Sequence, residues 1–131
     1  MRAKTSRRTP EPRSPDHELS IRIALGPHAL IGPGKIALLE RIRADGSISA
    51  AARAMGMSYK RAWELVDEVN SMFANPAVVT SKGGKTGGGA AVSELGLELI
   101  RAYRAIENAS AQATSREFAT LRRTLRRKPA R

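Results

Sequence analysis

Leu19, Ile21, Ile23 and Leu25 alternate with Ser20, Arg22 and Ala24, a period of two that predicts a half-buried strand ended by Gly26-Pro27. A short loop follows, closed by Gly32-Pro33-Gly34. Over residues 35–44 the apolar positions Ile36, Leu39 and Ile42, with Leu38 beside them, form one helix face that stops at Asp45-Gly46. Four alanines, at 50, 51, 52 and 54, then predict a short helix over 49–55 with Ser49 before it and Gly56 after it. Residues 58–73, SYKRAWELVDEVNSMF, repeat apolar side chains every three or four positions: Tyr59, Ala62, Trp63, Val66, Val69 and Phe73 fall on one face, which should be buried. Asn75-Pro76 breaks this helix. Val78, Val79 and Thr80 read as a short strand, SKGGKTGGG as a loop, and Ala91-Val92 as the returning strand. Ser93, with Glu94 in the first turn, starts a long helix whose stripe is Leu97, Ile100, Tyr103 and Ile106, with Leu99 alongside, ending near Ala113. Beyond it Phe118, Leu121 and Leu125 keep helical spacing among arginines, either as a basic amphipathic helix or as a tail that orders on a partner.

Short helix, glycine turn and longer helix make a helix-turn-helix, with Gly56 taking the left-handed turn conformation, Ser58 capping the longer helix, and Ala52 small enough for close helix crossing. In that motif the second helix offers its N-terminal residues to base edges in the DNA major groove. The outer face of 58–73 suits this, because Lys60 and Arg61 lie in the first turn while Glu64, Asp67 and Glu68 come further along. Cations there oppose the helix macrodipole, which favours carboxylates at that end. A polyanion can approach only the N-terminal end. With the hairpin after it and the long helix beyond, the expected fold is mainly α with a small β wing: a winged helix-turn-helix with a long C-terminal helix for dimerisation.

Charge sharpens the picture. The 131 residues carry a formal net charge of +11, of which residues 1–18 hold +2, residues 116–131 hold +6 and the stretch between them +3. The termini supply a diffuse attraction for phosphates and the body must supply any specificity. Three regions are expected: a disordered basic arm over 1–18, rich in Pro, Arg, Ser and Thr; a DNA-binding domain over 19–113; and a basic tail over 114–131. The chain has no cysteine, which removes disulfides, thiolate nucleophiles and the usual structural zinc sites, and only His17 and His28 offer imidazoles. No metal site or cofactor is expected. Arg7-Arg8 is not followed by the apolar core of an export signal, and no stretch suits a membrane span, so the expected location is the cytoplasm.

Candidate chemistry concentrates in two places. Gly84-Lys85-Thr86 matches the end of a nucleotide-binding P-loop, but that pattern needs a glycine five positions before Gly84, where Val79 stands, and a helix immediately after. No catalytic site can be assembled, and an enzyme is not expected. The glycines instead let backbone N–H groups approach DNA phosphates closely, with Lys82 and Lys85 adding charge. Trp63 could stack on a base, but its place on the apolar stripe favours core packing. Glu64 either accepts a hydrogen bond from cytosine or pairs with Lys60 one turn earlier.

The segment GPGKIALLERIRADGSISAAARAMGMSYKRAWELVDEVN, followed by VVTSKGGKTGGGAAVSELGLELI, resembles the N-terminal DNA-binding domain of ModE-type molybdate-responsive transcriptional regulators over residues 19–113. The resemblance implies a winged helix-turn-helix that dimerises through its N-terminal strand and its long helix. It places Ser58, Tyr59, Lys60 and Arg61 at the major groove, and Lys82, Gly83, Gly84, Lys85 and Thr86, with the glycines through Gly88, along the DNA backbone. Full-length regulators of this kind carry molybdate-binding domains after this region, so the expectation here is a stand-alone DNA-binding domain whose affinity does not respond to molybdate. The expected function is a dimeric, sequence-specific regulator of transcription acting on double-stranded DNA. The alternative is a general or architectural nucleic-acid binder driven by the basic termini, and a third possibility is a subunit lending DNA contact to a separate sensor protein.

Overall fold

The computed structural model describes residues 19–84 and 87–126, with side chains described outside 82–88. Ser20–Ala105 forms one compact unit, and the described residues from Ile106 onward belong to a second.

The first unit begins with a hairpin. Strand β1, Ile23–Gly26, pairs antiparallel with β2, Ala29–Ile31, so that Ile23 faces Ile31 and Ala24 faces Leu30. The expected strand over 19–25 is thus shorter and starts later. Its alternation holds where Ile21 and Ile23 are half-buried between exposed Ser20, Arg22 and Ala24, then fails at Leu25, which is 58% exposed. The cause is a register irregularity between Ala24 and Gly26, where an extra residue re-aims the side chain. The segment expected as a loop supplies β2 and places Ile31 in the core.

Helix α1, Pro33–Asp45, starts inside the Gly-Pro-Gly segment rather than after it. Proline suits a first helical position because the N–H it lacks would have no intrahelical acceptor there. Ile36, Leu38, Leu39 and Ile42 are buried, and the Gly46 N–H closes the helix by donating to Ile42 O at 2.8 Å. Helix α2, Ile48–Ala54, is capped by Ser47, whose Oγ accepts from the Ala50 N–H at 3.0 Å; Ser49, the expected start, is exposed within the helix. Ile48, Ala51 and Ala52 are buried. Helix α3, Tyr59–Met72, buries Ala62, Leu65, Val66 and Val69. Tyr59, expected in the core, is exposed, and Trp63 and Phe73 are only half-buried.

Strand β3, Val78–Gly84, and strand β4, Gly87–Val92, form the wing, with Val78 opposite Val92 and Gly84 opposite Gly87. Both run well beyond the short strands expected, because the glycines on either side of residues 85 and 86 pair rather than loop. The Ala90 N–H also donates to Gly46 O at 3.0 Å, seating β4 against the end of α1. Asn70 joins α3 to β3: its Oδ1 accepts from the Ala77 and Val78 N–H groups at 2.8 and 3.0 Å, and its Nδ2 donates to Val78 O at 3.1 Å.

Helix α4, Glu94–Ala113, starts at Ser93, whose Oγ accepts from the Gly96 N–H at 3.1 Å and donates to Pro76 O at 2.7 Å. Ile100 and Tyr103 enter the core, and the Tyr103 hydroxyl donates to Ile21 O at 2.7 Å. Arg104 binds Glu40 of α1 through two nitrogens, at 2.9 and 2.7 Å. Gly96 is needed for close approach, since a Cβ there would lie 2.5 Å from both Ala77 O and Val92 Cγ1. Alanine gains about 1 kcal/mol of helix propensity over glycine, but such overpacking costs about 1–3 kcal/mol or more. Gly96→Ala should therefore destabilise by roughly 1–2 kcal/mol in a urea titration, and any net gain would show that β3 and β4 yield easily. Among the described residues of the second unit, helix α5, Ser115–Arg122, follows Thr114 and buries no side chain. Leu125, expected on its stripe, lies beyond its end. The fold is a mainly α winged helix.

Candidate nucleic-acid interface

The start of α3 is fixed from both sides. Upstream, Gly56 adopts φ +70°, the left-handed region that suits glycine, while the Met57 N–H donates to Ala52 O at 3.0 Å and the Gly56 N–H to Arg53 O at 3.2 Å. Those two bonds close α2 and turn the chain sharply. Downstream, Ser58 is extended and its Oγ accepts from the Arg61 N–H at 3.0 Å, satisfying one of the helix's free donors. Buried Ala62, Leu65 and Val66 then hold the helix on the core.

Ser58, Tyr59, Lys60 and Arg61 therefore come together on one exposed turn. No acidic residue shares that turn. Tyr59 is 55% exposed and meets Trp63 edge-on, with ring centroids 6.2 Å apart. Arg61 pairs with Glu64 at 3.3 Å between half-exposed side chains, so Glu64 answers Arg61 rather than Lys60. Such surface pairs contribute little stability, which leaves the guanidinium free to turn toward a stronger anion. Lys60 has no carboxylate partner among the described residues. The helix macrodipole adds partial positive charge at the same end, so this turn attracts anions.

Beside it lies a shallow depression of about 430 Å³ lined by Ser49, Ala52, Arg53, Met57 and Tyr59. Sequence patterning does not single out Arg53 and reads Ser49 only as a helix start, although the second-to-last position of a seven-residue helix next to a turn faces outward from a buried Ala51-Ala52 pair. That spacing is the available signal.

Lys82, Gly83 and Gly84 occupy the outer half of β3, where only the backbone is described; Lys85 and Thr86 lie outside the described residues. Val79 and Thr80 at the base of the wing come after buried Val78 and are exposed. Gly84 pairs with Gly87 at the head of β4, so a strand stands where a P-loop requires a helix. Among the described residues no cluster of three or more His, Asp or Glu side chains could hold a metal ion, and no helix is long and apolar enough to cross a membrane.

No family model matches the chain. Known relatives do. Over 87 residues it is 48% identical to the molybdenum-pterin-binding protein MopB of Rhodobacter capsulatus, covering 66% of this chain and 32% of that protein. MopA of the same organism is 42% identical over 95 residues, 72% of this chain and 35% of the relative. The DNA-binding transcriptional dual regulator ModE of Escherichia coli (strain K12) is 37% identical over 86 residues, 66% and 33% respectively. The chain spans about a third of the length of these relatives. The fold is thus a winged helix with an exposed cationic turn at the start of α3. Over about two thirds of its length the chain is homologous to these ModE and Mop proteins, consistent with a ModE-like N-terminal domain.

Proposed function

We propose that this chain is a dimeric, sequence-specific, double-stranded-DNA-binding regulator of transcription in the cytoplasm, without catalytic activity or cofactor. The observation that carries the proposal is the first turn of α3, exposed, cationic, free of carboxylates and rigidly capped. Ser58, Tyr59, Lys60 and Arg61 read base edges, while the wing residues Lys82, Gly83, Gly84, Lys85 and Thr86 follow the phosphates. Pairing with a second copy is supported by apolar side chains left at the surface, Leu25 and Leu30 on the N-terminal hairpin and Ile106 on α4. A twofold dimer implies a near-palindromic operator with half-sites about 34 Å apart or a multiple of it. The test selects duplexes from random sequence, then titrates the best against competitor DNA, with sedimentation of the free and bound protein. The expected results are a dimer and a preference of about 10³ or more for the selected site. A monomer in both states refutes the assembly. Equal affinity for every duplex favours the general binder, for which the exposed arginines of α5 and the basic termini would suffice.

A further inference from the structure

The reading turn accounts for Lys60 and Arg61 but leaves the adjacent depression unused. Its lining is chemically one-sided: Arg53 supplies a guanidinium, Ser49 and Tyr59 supply hydroxyls, and no carboxylate borders it. Arg53 is exposed at the end of α2 and has no ion-pair or side-chain hydrogen-bond partner among the described residues. No described carboxylate supplies its counter-charge. Its position is nonetheless fixed, because the Arg53 carbonyl accepts the Gly56 N–H and the flanking Ala52 is buried. An open depression of about 430 Å³ is many times the roughly 10–15 Å³ that one water needs on the same measure, enough for a tetrahedral anion with its hydration. Ser49 is a donor of a kind that commonly completes such contacts.

Resting on the DNA-binding reading, we propose that Arg53, with Ser49, forms a phosphodiester subsite that grips the DNA backbone beside the bases read by Tyr59, Lys60 and Arg61. In a helix-turn-helix the first helix crosses the backbone while the second enters the groove, which puts α2 where such a contact is needed. Guanidinium geometry suits a phosphate, with two N–H groups offered in parallel. The subsite fixes the height and tilt of α3 and carries no base preference of its own.

The experiment measures affinities of the full chain for its selected operator and for a random duplex across a range of salt concentrations. Arg53→Ala should weaken both by about fivefold near physiological salt and make the salt slope shallower by about one unit, the loss of one neutralised phosphate. Arg53→Lys should restore the slope. Ser49→Ala should weaken both duplexes without changing it, since it removes a neutral donor. Arg53 is exposed, so thermal melts of these variants should match the parent. If Lys60→Ala weakens operator binding while Arg53→Ala leaves affinity and slope unchanged, the subsite does not exist although the DNA-binding reading stands. A shifted base preference in Arg53→Ala with an unchanged slope overturns the phosphate assignment in favour of base contact. Failure of every duplex to bind the parent protein overturns both readings.

Discussion

Replacing Asn70 by alanine should cost about 3 kcal/mol of folding stability, more than its half-buried position would suggest. One amide satisfies three backbone groups at the start of the wing: the Ala77 and Val78 N–H groups through Oδ1 and the Val78 carbonyl through Nδ2. Ala77 and Val78 are 0% and 3% exposed, so water cannot readily replace those bonds. Each buried backbone group left without a partner costs about 1–3 kcal/mol, reduced here because the site is not fully enclosed. Asn70→Asp keeps the acceptor for both N–H groups but sets a carboxylate against a carbonyl, so its loss should be smaller and the two variants should rank Ala below Asp. Urea denaturation gives the stabilities, and exchange of the Val78 amide proton locates the damage. A loss under about 0.5 kcal/mol for Asn70→Ala, within the range of ordinary surface substitutions, would mean that the wing is held by its own packing. The functional consequence is direct, because these bonds tie the base of the wing to the helix whose first turn is proposed to face the DNA.

How far the chain can be read from its pattern depends on whether a feature is periodic or local. The order of the four main helices and of the wing, the glycine turn at Gly56, the caps Ser58 and Ser93, and the apolar stripes of α1 and of α4 as far as Tyr103 all follow from spacing and turn chemistry, and the structure has them. The face of α3 is obscured by side-chain size. At 3.6 residues per turn, Ala62, Leu65, Val66 and Val69 fall within an arc of about 100°, and Trp63 lies roughly as far again from its centre; two large aromatics draw the expected stripe toward themselves and leave out Leu65. Tyr59 is exposed for a second reason, because it stands a full turn before Ala62 and Val66 meet the core. Its exposure strengthens the case for the reading turn.

The two strands of the N-terminal hairpin are blurred by one irregularity. Residues 29–31 are too few to show a period, and Gly32-Pro33-Gly34 carries the chemistry of a loop as much as of a helix start. The wing is longer than its sequence suggests because glycine is poor in strands on average, yet opposing glycines pair here and the Gly46 carbonyl supports β4 from outside the hairpin. Asn70 has no signature at all, since a side chain eight positions from its partner gives no periodic trace. Arg53 is legible in principle, as an outward position on a helix whose other face is alanine.

The decisive distinction for function is between reading and holding DNA. On the proposed reading Lys60 and Arg61 reach base edges from the first turn of α3, whereas Lys85, in its glycine-rich segment, follows the phosphates. Lys60→Ala or Arg61→Ala should cost roughly 1–3 kcal/mol on the selected operator and relax preference at one base-pair position, with little change on random DNA. Lys85→Ala should weaken both duplexes alike and make the salt slope shallower by about one unit, because one fewer phosphate is neutralised. Arg61 also gives a clean signal. Its bond to Glu64 is a 3.3 Å contact between half-exposed groups, so alanine there changes folding stability little, and any loss on the operator belongs to DNA. Removing Glu64 sharpens the test further: Glu64→Gln frees Arg61 from its neighbour and lowers the negative charge next to the groove, so affinity for random DNA should rise slightly while preference at one position falls only if Glu64 itself contacts a cytosine. The measurements are affinities for operator, single-position operator variants and random duplexes at several salt concentrations. If Lys60→Ala and Arg61→Ala weaken all of these equally and leave base preference intact, the first turn of α3 is an electrostatic anchor, and sequence discrimination must come from the deformability of the DNA rather than from contacts to its bases.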